Sequence, residues 1–184
     1  MLFRSGGTAG QIVINNTAAT PINGTSTSGT VNFLGAGSIS GSSSTRTFGT
    51  NSTVSLSGGV NFTSSATTIN GILRINANGF VDTNVPTYGS SSTLIYNTGG
   101  TFTAGTEWTS NATSGAGVPA NVTIGNGANT TLSFGSSGSY RQANGNVTIS
   151  SGSGLTLSSA LGGNLQLTGN FTQNGTFTHN SRAV

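Results

Sequence analysis

Between positions 121 and 158 the chain writes one pattern twice. Asn121-Val122-Thr123-Ile124 is followed, after six residues of turn chemistry, by Thr131-Leu132-Ser133. Twenty-five positions on come Asn146-Val147-Thr148-Ile149 and, at the same offset, Thr156-Leu157-Ser158. A period of this length marks an architecture of stacked units, each too small to bury a core alone. A unit with about four or five apolar side chains does not offset the entropy lost in ordering its own backbone. Neighbours that share strand ladders and one continuous core do. The rest of the chain reads as looser copies of this unit.

Apolar residues recur at every second position in short bursts, such as Ile12 and Ile14, Val31 and Phe33, Val54 and Leu56, Leu73 and Ile75, Leu94 and Tyr96, and Leu165 and Leu167. A period of two, rich in β-branched and aromatic residues, predicts strands with one buried face. No stretch carries a helical stripe, and Gly interrupts every candidate. Between the bursts stand pairs such as Asn23-Gly24, Gly58-Gly59, Asn70-Gly71, Asn144-Gly145 and Asn174-Gly175, which tolerate the positive φ of tight corners. Short strands with corners roughly every 8 to 12 residues suit two all-β folds. One is a parallel β-solenoid (β-helix) of short rungs with about 25-residue repeats; the alternative is a set of antiparallel β-sandwich repeats. The repeat favours the solenoid. About seven rungs fit, giving a rod roughly 30–35 Å long at an inter-strand spacing of about 4.8 Å.

Stacking like on like also accounts for the charge. Among 184 residues there are five Arg, two carboxylates and no Lys. Asn at repeated corners and Thr on repeated outer faces can form hydrogen-bonded ladders, where stacked Lys or Asp would repel. The arginines are scattered, and nucleic-acid binding by counterion release needs a cluster, so no nucleic-acid partner is expected. No apolar run is long enough to cross a bilayer, so no membrane insertion is expected. The absence of Cys excludes a disulfide framework and thiolate metal sites. Leu, Ile, Val and Phe supply 40 of the 184 residues, which with so small a net charge predicts a folded chain.

Within the opening Met1-Leu2-Phe3-Arg4-Ser5, the run Leu2-Phe3-Arg4-Ser5 matches the translated end of a common sequencing adapter, and the first ten residues lack the apolar stretch of a secretory signal. The expected organisation is an internal fragment: a non-native, assembly-derived start at 1–5, solenoid rungs over 6–82, rungs with inserted loops over 83–120, and regular repeats over 121–184, truncated at the C-terminal end. Two stretches, Asn84-Val85-Pro86-Thr87-Tyr88-Gly89 and the Gly-, Ser- and Ala-rich 110–120, are expected to leave the stack as loops.

Asp82 and Glu107 are the only carboxylates and are also 25 residues apart. Adjacent rungs would bring them together like the acid pairs of polysaccharide-cleaving solenoid enzymes. Such sites are generally surrounded by further acids, Lys or Arg, of which this chain has almost none, so both are expected to be solvated loop charges. No catalytic residue is expected, and the chain reads as a non-enzyme. His179, the sole histidine, has no carboxylate or thiol neighbours in sequence with which to complete a metal site, and is expected to be an exposed strand residue. The calcium-binding Gly-Gly-x-Gly-x-Asp pattern is absent. Neither a metal nor a cofactor is expected. The candidate glycan contacts are Tyr88, Tyr96, Glu107 and Trp108, with Tyr140 as a further aromatic, because ring faces beside amides and hydroxyls suit a sugar. The alternative is that Tyr96 packs in the core and Trp108 pins its loop down.

Three segments also carry a family resemblance. The run Pro86-Thr87-Tyr88-Gly89-Ser90-Ser91-Ser92-Thr93-Leu94-Ile95-Tyr96-Asn97-Thr98-Gly99-Gly100, the pair Thr106-Glu107-Trp108 and Ser114-Gly115-Ala116-Gly117-Val118-Pro119-Ala120-Asn121-Val122-Thr123-Ile124, and the closing stretch 163–180 resemble recurring segments of large adhesin-like β-strand-repeat surface proteins of Bacteroidota. The resemblance covers 86–184 and reaches the first half only in style. It implies an extracellular or outer-surface location, often reached by type IX export, and a structural role as a rigid stalk or passenger in attachment. The implied partners are extracellular polysaccharide or a host or matrix surface, and neighbouring repeats of the same polypeptide. A carbohydrate- or matrix-binding module using the aromatic loops around Tyr88 to Trp108 is the second expectation. No functional residue carries over from the family.

Overall fold

The computed structural model describes residues 11–14, 20–21, 25–40, 46–62 and 67–184. The start at 1–5 and the Asn23-Gly24 corner lie outside them. Among the described residues every pairing between named strands is parallel, and the antiparallel pairs are two isolated single-residue bridges, so the sandwich alternative is excluded. The fold is a parallel β-solenoid. Among the described residues the one helical element is a single 3₁₀ turn, Thr106–Trp108.

Its principal ladder runs through eight strands: Gln11–Ile14, Thr25–Phe33, Arg46–Leu56, Ile72–Asn76, Thr93–Asn97, Asn121–Ile124, Val147–Ile149 and Phe171–Gln173. The register aligns Val31, Val54, Leu73, Leu94, Val122, Val147 and Phe171 in one column, and Phe33, Leu56, Ile75, Tyr96, Ile124 and Ile149 in a second. Both columns point inward, as the period-two alternation requires. The step between rungs is 19 to 28 residues and averages about 23, so the 25-residue period is one value within a range.

Each turn adds strands on two further flanks. On the third flank Phe48, Ile69 and Tyr88 stack inward, and higher up Arg141–Ala143 pairs with Leu165–Leu167. The second flank consists of two separate sheets. One contains Thr20–Pro21, Gly37–Ser40, Gly59–Asn61 and Phe80–Val81; the other contains Thr101–Thr103, Thr131–Ser133, Gly154–Thr156 and Thr176–Thr178. The inward columns of all three flanks merge into one apolar core.

Asparagine ladders form at the corners. The Asn146 N–H donates to Asn121 Oδ1 at 3.0 Å, and the Asn170 N–H donates to Asn146 Oδ1 at 2.8 Å. Each side chain thus satisfies the backbone of the next rung rather than only its own kind. Asn84 Nδ2 likewise donates to Asn61 Oδ1 at 3.0 Å.

Neither expected loop leaves the stack. Within 84–89, Thr87–Tyr88 is a short strand in register with Thr68 and Ile69. Tyr88 continues an inward column, and its burial holds the segment in place. The 110–120 segment also folds back: the Gly117 N–H donates to Pro86 O at 2.9 Å, the Thr109 N–H to Gly117 O at 2.7 Å and the Asn144 N–H to Pro119 O at 2.9 Å. Val118 and Ala120 are buried.

Close backbone approach sets the corner residues. A Cβ added at Gly71 would stand 2.1 Å from Ser52 O, a rigid backbone atom of the rung below, whereas one at Gly35 meets nothing within 4 Å. G71A is therefore expected to lower stability by about 1–3 kcal/mol, the range of core overpacking. G35A should stay within about 0.5 kcal/mol of wild type, as uncrowded substitutions do. Urea-unfolding midpoints of the two variants check this pair.

Candidate functional site

The chemistry-bearing residues converge where the rung lengthens. From Leu94 to Val122 the step is 28 residues, the longest in the ladder. The surplus chain forms the 3₁₀ turn Thr106–Trp108 and the folded-back segment after it. Thr106 Oγ1 reaches Val81 O at 3.3 Å, so the turn sits directly above the strand Phe80–Val81.

Glu107 occupies the centre of this turn and is 1% exposed. Its Oε1 accepts the Gly105 N–H at 2.7 Å and the Tyr96 hydroxyl at 2.9 Å. Its backbone carbonyl accepts the Tyr88 hydroxyl at 2.8 Å. Its Oε2 is buried without a hydrogen-bond partner. Arg141 lies nearby but donates to backbone: Nη1 to Gly105 O at 3.0 Å and Nη2 to Ala104 O at 2.6 Å. Its guanidinium also stands 5.5 Å from the centre of the Phe134 ring, a cation–π approach. Trp108 is fully buried; its indole N–H donates to Gln142 O at 2.8 Å, and its ring meets Phe134 edge-on at 5.3 Å and Tyr96 at 6.5 Å.

The four candidate glycan contacts are therefore brought together, but inside the solenoid. Tyr88, Tyr96, Glu107 and Trp108 are all buried, and the ring faces that a sugar would stack against are covered by protein. Tyr96 packs in the core, and Trp108 ties its turn to the strand Arg141–Ala143. Tyr140, next to Arg141 in sequence, is half-buried. The expectation that Glu107 is a solvated loop charge is corrected: the longer rung folds it inward, where Tyr96 and Gly105 supply donors. Asp82 does remain exposed, one residue past Val81. The two carboxylates occupy neighbouring rungs, one facing water and one the core. His179 is exposed, one residue beyond the strand Thr176–Thr178, and its Nδ1 accepts the Ser181 N–H at 3.0 Å.

Arg141 escaped attention in the sequence because it looked like one of five scattered cations. Its signal is the Arg141-Gln142-Ala143 alternation, in which an arginine takes an inward-facing position aligned with Leu165.

Burial raises the Glu107 carboxyl above its ordinary value of 4.5, against the opposing pull of the Gly105 N–H, the Tyr96 hydroxyl and the Arg141 charge. Burial, and then the nearby Glu107, likewise raise both Tyr88 and Tyr96 well above the ordinary tyrosine value. Burial lowers Arg141 from its ordinary value. The Glu107 carboxyl thus has donors on one oxygen and is enclosed beside Tyr96 and Arg141. Comparison with protein-family models, with curated proteins and with solved structures finds no match to this chain.

Two outcomes follow from this geometry. W108A removes the ring that fills the widened rung and is expected to destabilise the protein by about 3–5 kcal/mol, as truncation of a buried aromatic does, measured by chemical denaturation. The raised Glu107 value means that the folded chain holds this proton more tightly than the unfolded chain. Its contribution to stability is therefore complete below the ordinary carboxyl value and is lost as pH rises through the raised folded value. Unfolding midpoints from pH 4.5 towards neutrality should fall in the wild type and flatten in E107Q; equal slopes would place the titration elsewhere.

Proposed function

We propose that this chain is a non-catalytic structural segment of a secreted or cell-surface adhesin-like protein, a rigid stalk or passenger that carries an attachment surface. The observation that supports it most is the eight-strand parallel ladder, whose inter-rung hydrogen bonds run along the stacking axis and set the inward apolar side chains one above the next. Such a stack resists bending because each rung is held by its neighbours along the unbroken principal ladder. Two features agree with a spacer. The side chains best suited to chemistry, Glu107, Arg141, Tyr88, Tyr96 and Trp108, are occupied in internal contacts. The outward positions of the later rungs of the ladder are Thr123, Thr148 and Thr172, which are neutral and form no reactive cluster. The sugar-binding reading based on the Tyr88 to Trp108 loops is not carried forward, since those rings are covered.

Antibodies raised against the folded chain are expected to label intact, unpermeabilised source cells, and deletion of the coding segment should reduce attachment of those cells to surfaces. Labelling that appears only after permeabilisation would overturn the reading. Release of reducing sugar from pectin or alginate by the purified chain would overturn its non-catalytic part.

A further inference from the structure

The second flank is interrupted at one level. The sheet that ends with Phe80–Val81 and the sheet that begins with Thr101–Thr103 do not join, although the principal ladder continues without a break from Ile72–Asn76 to Thr93–Asn97 beside them. The cause is the longer rung: Thr106, not Thr101, lies above Val81, so Thr101–Thr103 is displaced towards the corner. The displacement opens a groove of about 510 Å³ between the corner residues Ala77 and Asn78 with Phe80 on one side, and Thr98, Thr101 and Phe102 on the other.

The groove has the chemistry of a neutral-sugar site. Phe80 is 46% exposed, the one exposed Phe, Tyr or Trp side chain among the described residues. Its ring lies over the backbone of Gly59, its register partner, where an added Cβ would stand 2.5 Å from Phe80 Cζ. One edge is thus supported by the rung below while the ring remains open to water. Phe102, half-buried, forms the opposite apolar wall, packed on Tyr96 at 5.6 Å. Asn78 and Thr101 are exposed at the rim and supply an amide and a hydroxyl. Asn78 is held at φ 63°, a left-handed corner that fixes its position next to the ring. No ionisable side chain lines the groove. A flat apolar ring beside neutral donors and acceptors matches a pyranose, which offers C–H groups on one face and hydroxyls at its edge. The volume is of the size that small-ligand sites occupy.

We propose that this groove binds a neutral, uncharged glycan, with the Phe80 ring stacking on one sugar and Asn78 and Thr101 bonding its hydroxyls. The site is independent of the stalk reading, since a spacer does not need it, and of the buried Tyr88–Trp108 cluster. The test is amide-resolved NMR titration of the full chain with soluble neutral oligosaccharides (β-1,4-glucan, β-1,3-glucan, xylan and mannan fragments), with a heparin fragment and an uncharged β-strand peptide as the other arms. Shifts confined to 77–80 and 98–102 with at least one neutral oligosaccharide are expected. F80A should weaken that binding at least tenfold and N78A several-fold, while F80W strengthens it; unchanged amide positions elsewhere show that the fold is kept, as an exposed ring permits. The proposal is overturned if no neutral oligosaccharide shifts these amides, if F80A binds like wild type, or if the groove responds only to heparin or to the peptide.

Discussion

In-register parallel stacking is the constraint on which everything else in this protein depends. A rung of about 23 residues satisfies few of its own backbone groups, and its N–H and C=O donors and acceptors are met by the rungs above and below. Once the register is set, the inward positions of the principal ladder repeat the apolar character of the position beneath them. Apolar side chains fall into columns and fuse into one core. A charge repeated up a column would meet its own kind; the outward column instead carries Thr123, Thr148 and Thr172 in its later rungs and a single charge, Arg74, between Ser55 and Ile95. At corners the backbones of successive rungs approach so closely that Gly71 faces Ser52 O with no room for a side chain.

The stack does not keep one cross-section. Between Leu94 and Val122 the chain takes 28 residues to complete a turn, and the surplus is used as filling and wall rather than as a projecting loop. Trp108 occupies the widened interior, Arg141 stitches the carbonyls of Ala104 and Gly105, and the 110–120 segment closes over them through Pro86 and Gly117. The same change of cross-section buries a carboxyl inside and separates two sheets outside. Glu107 and the Phe80 groove are thus two consequences of one lengthened rung, one sealed and one open.

This arrangement frames the functional proposals. Glu107, Arg141, Tyr88, Tyr96 and Trp108 are enclosed, and the outward positions of the later rungs, Thr123, Thr148 and Thr172, are neutral. Where the spacing of rungs slips, an aromatic ring is left facing water beside an amide and a hydroxyl. A periodic scaffold generates recognition at its irregularities, because only there does the surface differ from one rung to the next.

Much of the fold was legible in the residues. Val122 and Val147, Ile124 and Ile149, and Leu132 and Leu155 do stack, although the last pair joins Leu132 to Leu155 rather than to Leu157, its equivalent in the 25-residue repeat. That slip shows how local periodicity is overruled when a rung changes length. The alternation of apolar residues by itself determined strands, one buried face and an all-β stack, because side-chain direction in a strand has period two whatever the surroundings. The burial of Glu107, the inward turn of Arg141, the docking of 110–120 and the exposure of Phe80 were decided only in the tertiary structure. Each depends on which rung lies above which, and that register is set by contacts between residues some 20 to 37 positions apart rather than by neighbours in sequence.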